Sequence, residues 1–132
     1  CALPISDIIF ANREKGSSRR VYLDRQLNKL GISPENISGY RNELVSDSST
    51  AAAVAGGQAD IALGEAYTAR TFTDLEFLPL GTETMYLVMA SSSFSSPGFR
   101  AVVSALSSES FRQALSLQTG YDTSHTGEAA CF

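Results

Sequence analysis

Three times before residue 73 the chain repeats one device: an apolar run, a polar turn, and a helix-forming stretch. "DIIFANR" leads through "EKGSS" into "RRVYLDRQLNKLG". "SGYRNELV" leads through "SDSST" into "AAAVAGG", and "ADIAL" leads through Gly64 into "EAYTARTF". Apolar runs of this length suit buried strands, while Leu23, Leu27 and Leu30, at i, i+4 and i+7, mark one face of the first helix. Strands that alternate with helices predict an α/β layer fold with a mostly parallel central sheet flanked by helices. In such folds ligands lie beyond the carboxyl ends of the strands, where helix N-termini point.

Local chemistry places the helix ends. Ser17 or Ser18 can cap the first helix, and Gly31 is placed to end it. Pro34 stands at a helix-start position in "ISPEN". The cluster Ser46, Asp47, Ser48, Ser49 and Thr50 precedes the second helix, which closes at Gly56 or Gly57. Beyond the third helix, "LEFLPL" and "TMYLVMA" read as further strands and "SSSFSSPG" as a serine-rich loop. Ser96 and Pro97 open a helix carrying Phe99, Val102, Val103 and Leu106. Ser108 is expected to cap the last helix, with Phe111, Ala114 and Leu115 on its inner face and Gly120 past its end. The tail "YDTSHTGEAACF" has no periodicity.

Charge narrows the function. Ten Lys plus Arg stand against fourteen Asp plus Glu in 132 residues, a net charge of −4. That balance argues against a generic nucleic-acid or anionic-membrane binder, which needs a broad positive surface. No run approaches the roughly 18 to 20 apolar residues of a membrane span. Yet Arg13, Lys15, Arg19, Arg20, Arg25 and Lys29 gather in one neighbourhood, six of the ten cations. A helix N-terminus offers unpaired N–H groups and about half a positive charge, to which serine hydroxyls and arginine forks add donors. Arg13, Ser17, Ser18 and Arg19 therefore form a cradle for a small oxyanion. The alternative is a capped helix whose arginines pair with Glu14, Asp24 or solvent.

Other chemistries lack their residues. "EKGSS" has Lys-Gly-Ser where a P-loop needs Gly-Lys-Ser after an earlier glycine. No serine occupies a Gly-x-Ser-x-Gly elbow. His125 is the single histidine and lies in the polar tail, and the carboxylates Asp47, Asp60, Glu65, Asp74 and Glu76 are scattered. Cys1 and Cys131 define no metal spacing. The expectation is a binding domain with no catalytic residues, no cofactor and no metal. "CALPI", residues 1–5, has no cap or turn logic and matches one translated frame of a common sequencing-adapter end. A non-native leader is expected there, with a frayed native N-terminus as the alternative.

Three segments, "FANREKGSSRRVYLDRQLNKLGISPENISGY", "AAAVAGGQADIALG" and "GYDTSHTGE", together resemble the periplasmic-binding-protein-like domain. That domain accompanies DNA-binding domains in molybdate-type regulators and is fused to molybdopterin-biosynthesis enzymes. Its first motif is close to Asn-Arg-x-x-Gly-Ser-Gly-Thr-Arg, matched by Asn12, Arg13, Gly16, Ser17 and Arg20. Ser18 replaces the glycine and Arg19 the threonine, so any hydroxyl contact from position 19 is lost. The same loop is similar to the Arg-x-Asp-Gly-Ser-Gly-Thr loop of phosphate-binding proteins, with Lys15 at the aspartate position. A carboxylate there accepts a proton from a protonated phosphate; lysine removes that selection and favours a proton-free dianion such as molybdate or tungstate.

The resemblance implies a ligand-binding set of Arg13, Ser17, Ser18, Arg19 and Arg20, with Ser48, Ser49 and Thr50 in support. It also implies that residues 6–132 are the second lobe and C-terminal helices of a two-lobed domain, the first lobe or a fused domain lying upstream. Self-association through an uncovered apolar face is then expected. A sensor or biosynthetic fusion would be cytoplasmic, whereas a transporter component would be periplasmic or extracellular.

Overall fold

The structure, a computed structural model, describes residues 7–128; the expected leader, Cys1 and Cys131 lie outside that range. The chain divides into a first unit ending at Leu78 and a second beginning at Pro79.

The first unit is an α/β layer. Strand β1 (Phe10–Arg13) runs into helix α1 (Ser18–Leu30), and a short 3-10 turn (Pro34–Asn36) leads to β2 (Glu43–Leu44). Helix α2 (Asp47–Ala55), β3 (Ile61–Ala62) and α3 (Ala66–Arg70) follow. The sheet order is β2-β1-β3 and both pairings are parallel, so the expected fold class holds. Asn12 lies beside Glu43 and Arg13 beside Leu44 on one side, Phe10 beside Ile61 and Ala11 beside Ala62 on the other. With β1 in the middle, its C-terminal residue Arg13 sits at the centre of the sheet's carboxyl edge.

Small side chains let the layers approach closely. Ala11, Ala53 and Ala59 form the buried nucleus, with Leu44, Val54 and Ala62 packed against it. Two buried polar groups are satisfied within the fold. Asn12 donates to the Tyr40 carbonyl at 2.8 Å while its Oδ1 accepts from the Arg13 N–H. Thr50 donates to the Asp47 carbonyl at 2.9 Å. A buried hydroxyl or amide without such partners would cost free energy on folding.

Helix ends follow the local chemistry. Ser17 caps α1 and Ser46 caps α2, each through its hydroxyl, and Gly31 ends α1 with φ 65°. Leu27 is buried on the inner face of α1, whereas Leu30, expected beside it, is exposed. A helical period marks a face but does not say how far along that face the helix is covered. "SGYRNELV" also forms less strand than its composition predicts, because Ser38 to Arg41 make a turn and only Glu43 and Leu44 pair.

The larger correction concerns "LEFLPL" and "TMYLVMA", neither of which is a strand. Leu78, Met85 and Val88 are 79%, 82% and 86% exposed. Apolar and β-branched residues favour a strand only where a neighbouring strand takes their N–H and C=O groups and packs their side chains. Among the described residues neither segment is paired with a strand.

The second unit holds a 3-10 turn (Ser91–Ser93), helix α4 (Pro97–Leu106) and helix α5 (Glu109–Ser116). Ser108 caps α5 as expected, and Ser96, expected to open α4 with Pro97, is its cap. Phe99, Val103 and Leu106 are half-buried, as are Phe111 and Leu115, whereas Val102 and Ala114 are exposed. Among the described residues no helix is long and apolar enough to cross a membrane.

Candidate functional site

A parallel sheet sends every strand-to-helix turn to the same edge. Here those turns carry Arg13 to Ser17 after β1, Val45 and Ser46 after β2, and Glu65 before α3. The edge therefore collects the N-termini of α1 and α2 together with whatever charges flank them.

Arg13 is anchored on several sides. Its Nη1 donates to Asp47 Oδ1, its Nε and Nη2 reach the Glu14 carboxylate at 3.1 and 2.9 Å, and it also donates to the carbonyls of Leu44 and Val45 at 3.2 Å. Arg19 Nη1 donates to Ser18 Oγ at 2.7 Å. Its Nη2 stands 3.4 Å from Asp47 Oδ2 and 3.9 Å from Glu65 Oε1. The Asp47 carboxylate is thus held between two guanidinium groups from different elements.

The remaining predicted residues fall into two groups. Ser17 accepts from the Arg20 N–H at 3.2 Å, and Ser48 is exposed on the first turn of α2. Ser49 completes a reciprocal capping box with Ser46, and Thr50 is buried. Arg20 is enclosed at 4% exposure: it donates to Asp24 at 3.0 and 3.1 Å, to Glu43 at 2.9 Å, to the Tyr40 hydroxyl at 3.2 Å and to the Arg13 carbonyl at 3.2 Å. Its guanidinium also lies 4.2 Å from the Tyr40 ring centroid. The structure therefore brings Arg13, Arg19, Ser17, Ser18 and the start of α2 to one edge, and commits Arg20, Ser49 and Thr50 to contacts inside the fold. Lys15 is exposed in the turn between β1 and α1.

The alternative anticipated from the sequence, arginines paired with neighbouring carboxylates, is what forms. Arg13 pairs with Glu14 and Arg20 with Asp24, while Ser17, Ser18, Arg13 and Arg19 lie at the same strand-to-helix turn. Asp47 and Glu65 are the residues that sequence reasoning missed. They looked scattered, yet each stands immediately after a strand-to-helix turn, and in a parallel α/β chain that position alone brings side chains to one edge.

Proton equilibria follow the pairing. The hydrogen bond to Glu14 raises the Arg13 pKa above its ordinary value; burial opposes this and Asp47 adds to it. Arg13 in turn holds the Glu14 carboxyl below the usual carboxylate range, helped by a backbone hydrogen bond. A carboxyl depressed in the folded state stabilises it above the unfolded-state pKa, and that contribution is lost as pH falls through the lowered value. In a carbon-detected titration the Glu14 midpoint should lie below the ordinary value of about 4.3. Arg13→Ala should move it back toward that value, short of it by the share of the backbone hydrogen bond, and an unmoved midpoint would remove Arg13 as the main cause.

Residues 2–107 match a family model described as the PBP superfamily domain. The chain belongs to the PBP superfamily. It is similar to the uncharacterized protein YvgK of Bacillus subtilis (strain 168), with 36% identity over 123 residues, 93% of this chain and 39% of that protein. It is also similar to an uncharacterized protein in the ferredoxin 2Fe-2S gene 5' region of Clostridium pasteurianum, with 33% identity over 108 residues, 82% of this chain and 96% of that protein. No solved structure is a significant match. The PBP domain described here therefore spans about two fifths of the length of the Bacillus relative. Membership in this superfamily supports a small-ligand binding module, and the carboxyl edge of the sheet is where its polar groups converge.

Proposed function

We propose that this PBP domain binds a small tetrahedral oxyanion without chemistry, as a sensor or substrate-binding module, with molybdate or tungstate favoured. One observation carries the reading: the carboxylate of Asp47 lies between Arg13 and Arg19 at the joint N-termini of α1 and α2. Two guanidinium groups that share the two oxygens of one carboxylate are spaced to share two oxygens of a tetrahedral anion. Arg13, Arg19, Ser17, Ser18 and Ser48 would meet the ligand, and Arg20, Ser49 and Thr50 would hold the two helix starts in place behind them. Lys15 adds charge but no proton acceptor. An accessory role in a molybdenum-cofactor biosynthesis enzyme and a solute-binding role in anion uptake would both use the same site.

The length of the Bacillus relative supports a second element of the proposal, that this domain works as one lobe of a two-lobed protein. The exposed apolar stretch around Met85 to Val88 then has a partner surface upstream, and self-association is its expected behaviour when that surface is missing.

Calorimetry tests the ligand. Tungstate and molybdate should bind more tightly than phosphate at neutral pH, with no competition from chloride. Phosphate binding as well as either would overturn the preference. Charge-assisted hydrogen bonds contribute roughly 1.5 to 3 kcal/mol, so Arg13→Ala should weaken tungstate binding about tenfold or more. Arg25, exposed further along α1, should matter little. Equal losses at Arg13 and Arg25 would mean that a diffuse field attracts the anion and that no cradle exists.

A further inference from the structure

The carboxylate that reveals the arginine pair also occupies it. Asp47 is the first residue of α2, directly after its cap Ser46, and its side chain is only 15% exposed. Its two oxygens are divided between Arg13 on β1 and Arg19 on α1, whose side chains are 13% and 17% exposed. A ligand oxygen that takes the position facing both guanidinium groups has to move this carboxylate. One that binds beside it meets a like charge a few ångströms away, with little water between to screen it. Either way Asp47 opposes the anion.

We propose that Asp47 is an internal competitor, an anion built into the chain that holds the arginine pair until an external oxyanion displaces it. The inference rests on the oxyanion reading of this site and adds a residue that sets its affinity. Because the carboxylate is tethered, it competes at the high effective concentration of any intramolecular group. Without a ligand Asp47 adds to Glu14 and Glu65 in neutralising the two guanidinium groups at this partly buried edge, and it alone bridges them. Exchange conserves that neutralisation, and it sets a threshold that weakly held anions do not pass.

The competitor role differs from the other role a carboxylate can take in an oxyanion site, that of accepting a proton from the ligand. Both Asp47 oxygens already face guanidinium groups, which leaves the carboxylate poorly placed to receive a ligand O–H. The two roles predict opposite responses to its removal. Loss of a competitor strengthens binding of every anion by a similar factor, whereas loss of an acceptor weakens binding of the protonated ones alone.

The experiment compares the 132-residue chain with Asp47→Asn and Asp47→Ser by calorimetry, using tungstate, phosphate and the monovalent perrhenate as probes. Asparagine keeps the shape, serine keeps a hydroxyl in the first helical turn, and circular dichroism establishes that each variant is folded. Affinity for tungstate should rise about tenfold in both variants, with perrhenate and phosphate rising alongside it. Independently of any variant, the Asp47 carboxyl carbon resonance of the native chain should move as tungstate is added. Unchanged or weaker tungstate binding in both variants, a selective loss of phosphate, or a stationary Asp47 resonance under saturating tungstate would each overturn the competitor role while leaving the oxyanion site standing. If neither the native chain nor its variants bind any of the three anions, the oxyanion reading falls and this inference falls with it.

Discussion

Gly39→Ala is expected to destabilise the first unit by about 4 kcal/mol or more. Gly39 has φ +82°, and a Cβ built on it would lie 2.2 Å from the Phe10 carbonyl oxygen and 2.8 Å from the Phe10 nitrogen. Both atoms belong to the backbone of β1, the central strand, so neither can swing aside as a flexible side chain would. The same turn accepts the Phe10 N–H on the Ser38 carbonyl at 2.8 Å and the Asn42 N–H on the Gly39 carbonyl at 2.8 Å. Relief of the clash therefore requires the turn to leave the sheet and surrender those bonds. Strain at a special φ combined with steric overlap belongs among the largest single-residue effects, about 4 kcal/mol or more. Against a usual domain stability of about 5 to 15 kcal/mol, such a loss is a large fraction of the whole.

Gly16→Ala supplies the comparison. Its φ is +95° but a Cβ there meets nothing within 4 Å. Only the left-handed backbone then resists substitution, at about 1 to 2 kcal/mol. Urea denaturation of the two variants separates the causes. Equal destabilisation would show that backbone conformation dominates and that the approach of Gly39 to β1 is unimportant.

The second large effect is expected at Arg20. Its guanidinium joins α1 to the Tyr40 turn and to β2 through Asp24, Tyr40 and Glu43, and the Tyr40 hydroxyl donates to Asp24 at 2.7 Å. Burial pulls its pKa down, but the bonds to Glu43, Tyr40 and Asp24 outweigh that and leave it raised, so the group stays charged at every pH of interest. Removing one partner of a buried ion pair costs about 3 to 5 kcal/mol. Asp24 and Glu43 keep 43% and 38% of their side-chain exposure and can rehydrate, which lowers the expected cost. Arg20→Met should therefore destabilise the fold by about 2 to 3 kcal/mol. Thermal melts should show a drop of about 8 to 24 °C, at about 4 to 8 °C per kcal/mol for a unit of this size. Arg20→Lys should recover less than half of it, because an ammonium cannot reach two carboxylates and a ring face with one planar fork. Full rescue by lysine would mean that charge alone matters.

These two positions mark the boundary of what local sequence can specify. The serine caps at 17 and 108, the helix start at Ser96 and the glycine stop at 31 were legible because each is a hydrogen-bond arrangement closed within about four residues. The α/β order was legible for a similar reason, since apolar runs and helix-forming stretches alternate along the chain. Gly39 gave no such signal, and Arg20 gave only its pairing with Asp24 one helical turn on. Gly39 matters because residue 10 passes against it, and Arg20 because residues 40 and 43 close over it. Leu30 fits the helical period of Leu27 and is still exposed, because period describes a face and says nothing about where the neighbouring layer ends.

By itself the sequence determined the parallel α/β character of the first unit, the starts and stops of its principal helices, and the convergence of arginines and serines at one strand-to-helix turn. Those outcomes depend on hydrogen bonds and side-chain spacing within a few residues. Tertiary structure alone decided that "LEFLPL" and "TMYLVMA" are not strands, because a strand exists only with a partner for its backbone. It also decided which arginines stand at the edge and which are enclosed, and it placed Asp47 between Arg13 and Arg19 although 34 residues separate it from the first of them. A Coulomb interaction reads distance in space, and the parallel crossover that sets this distance appears only once the sheet has assembled.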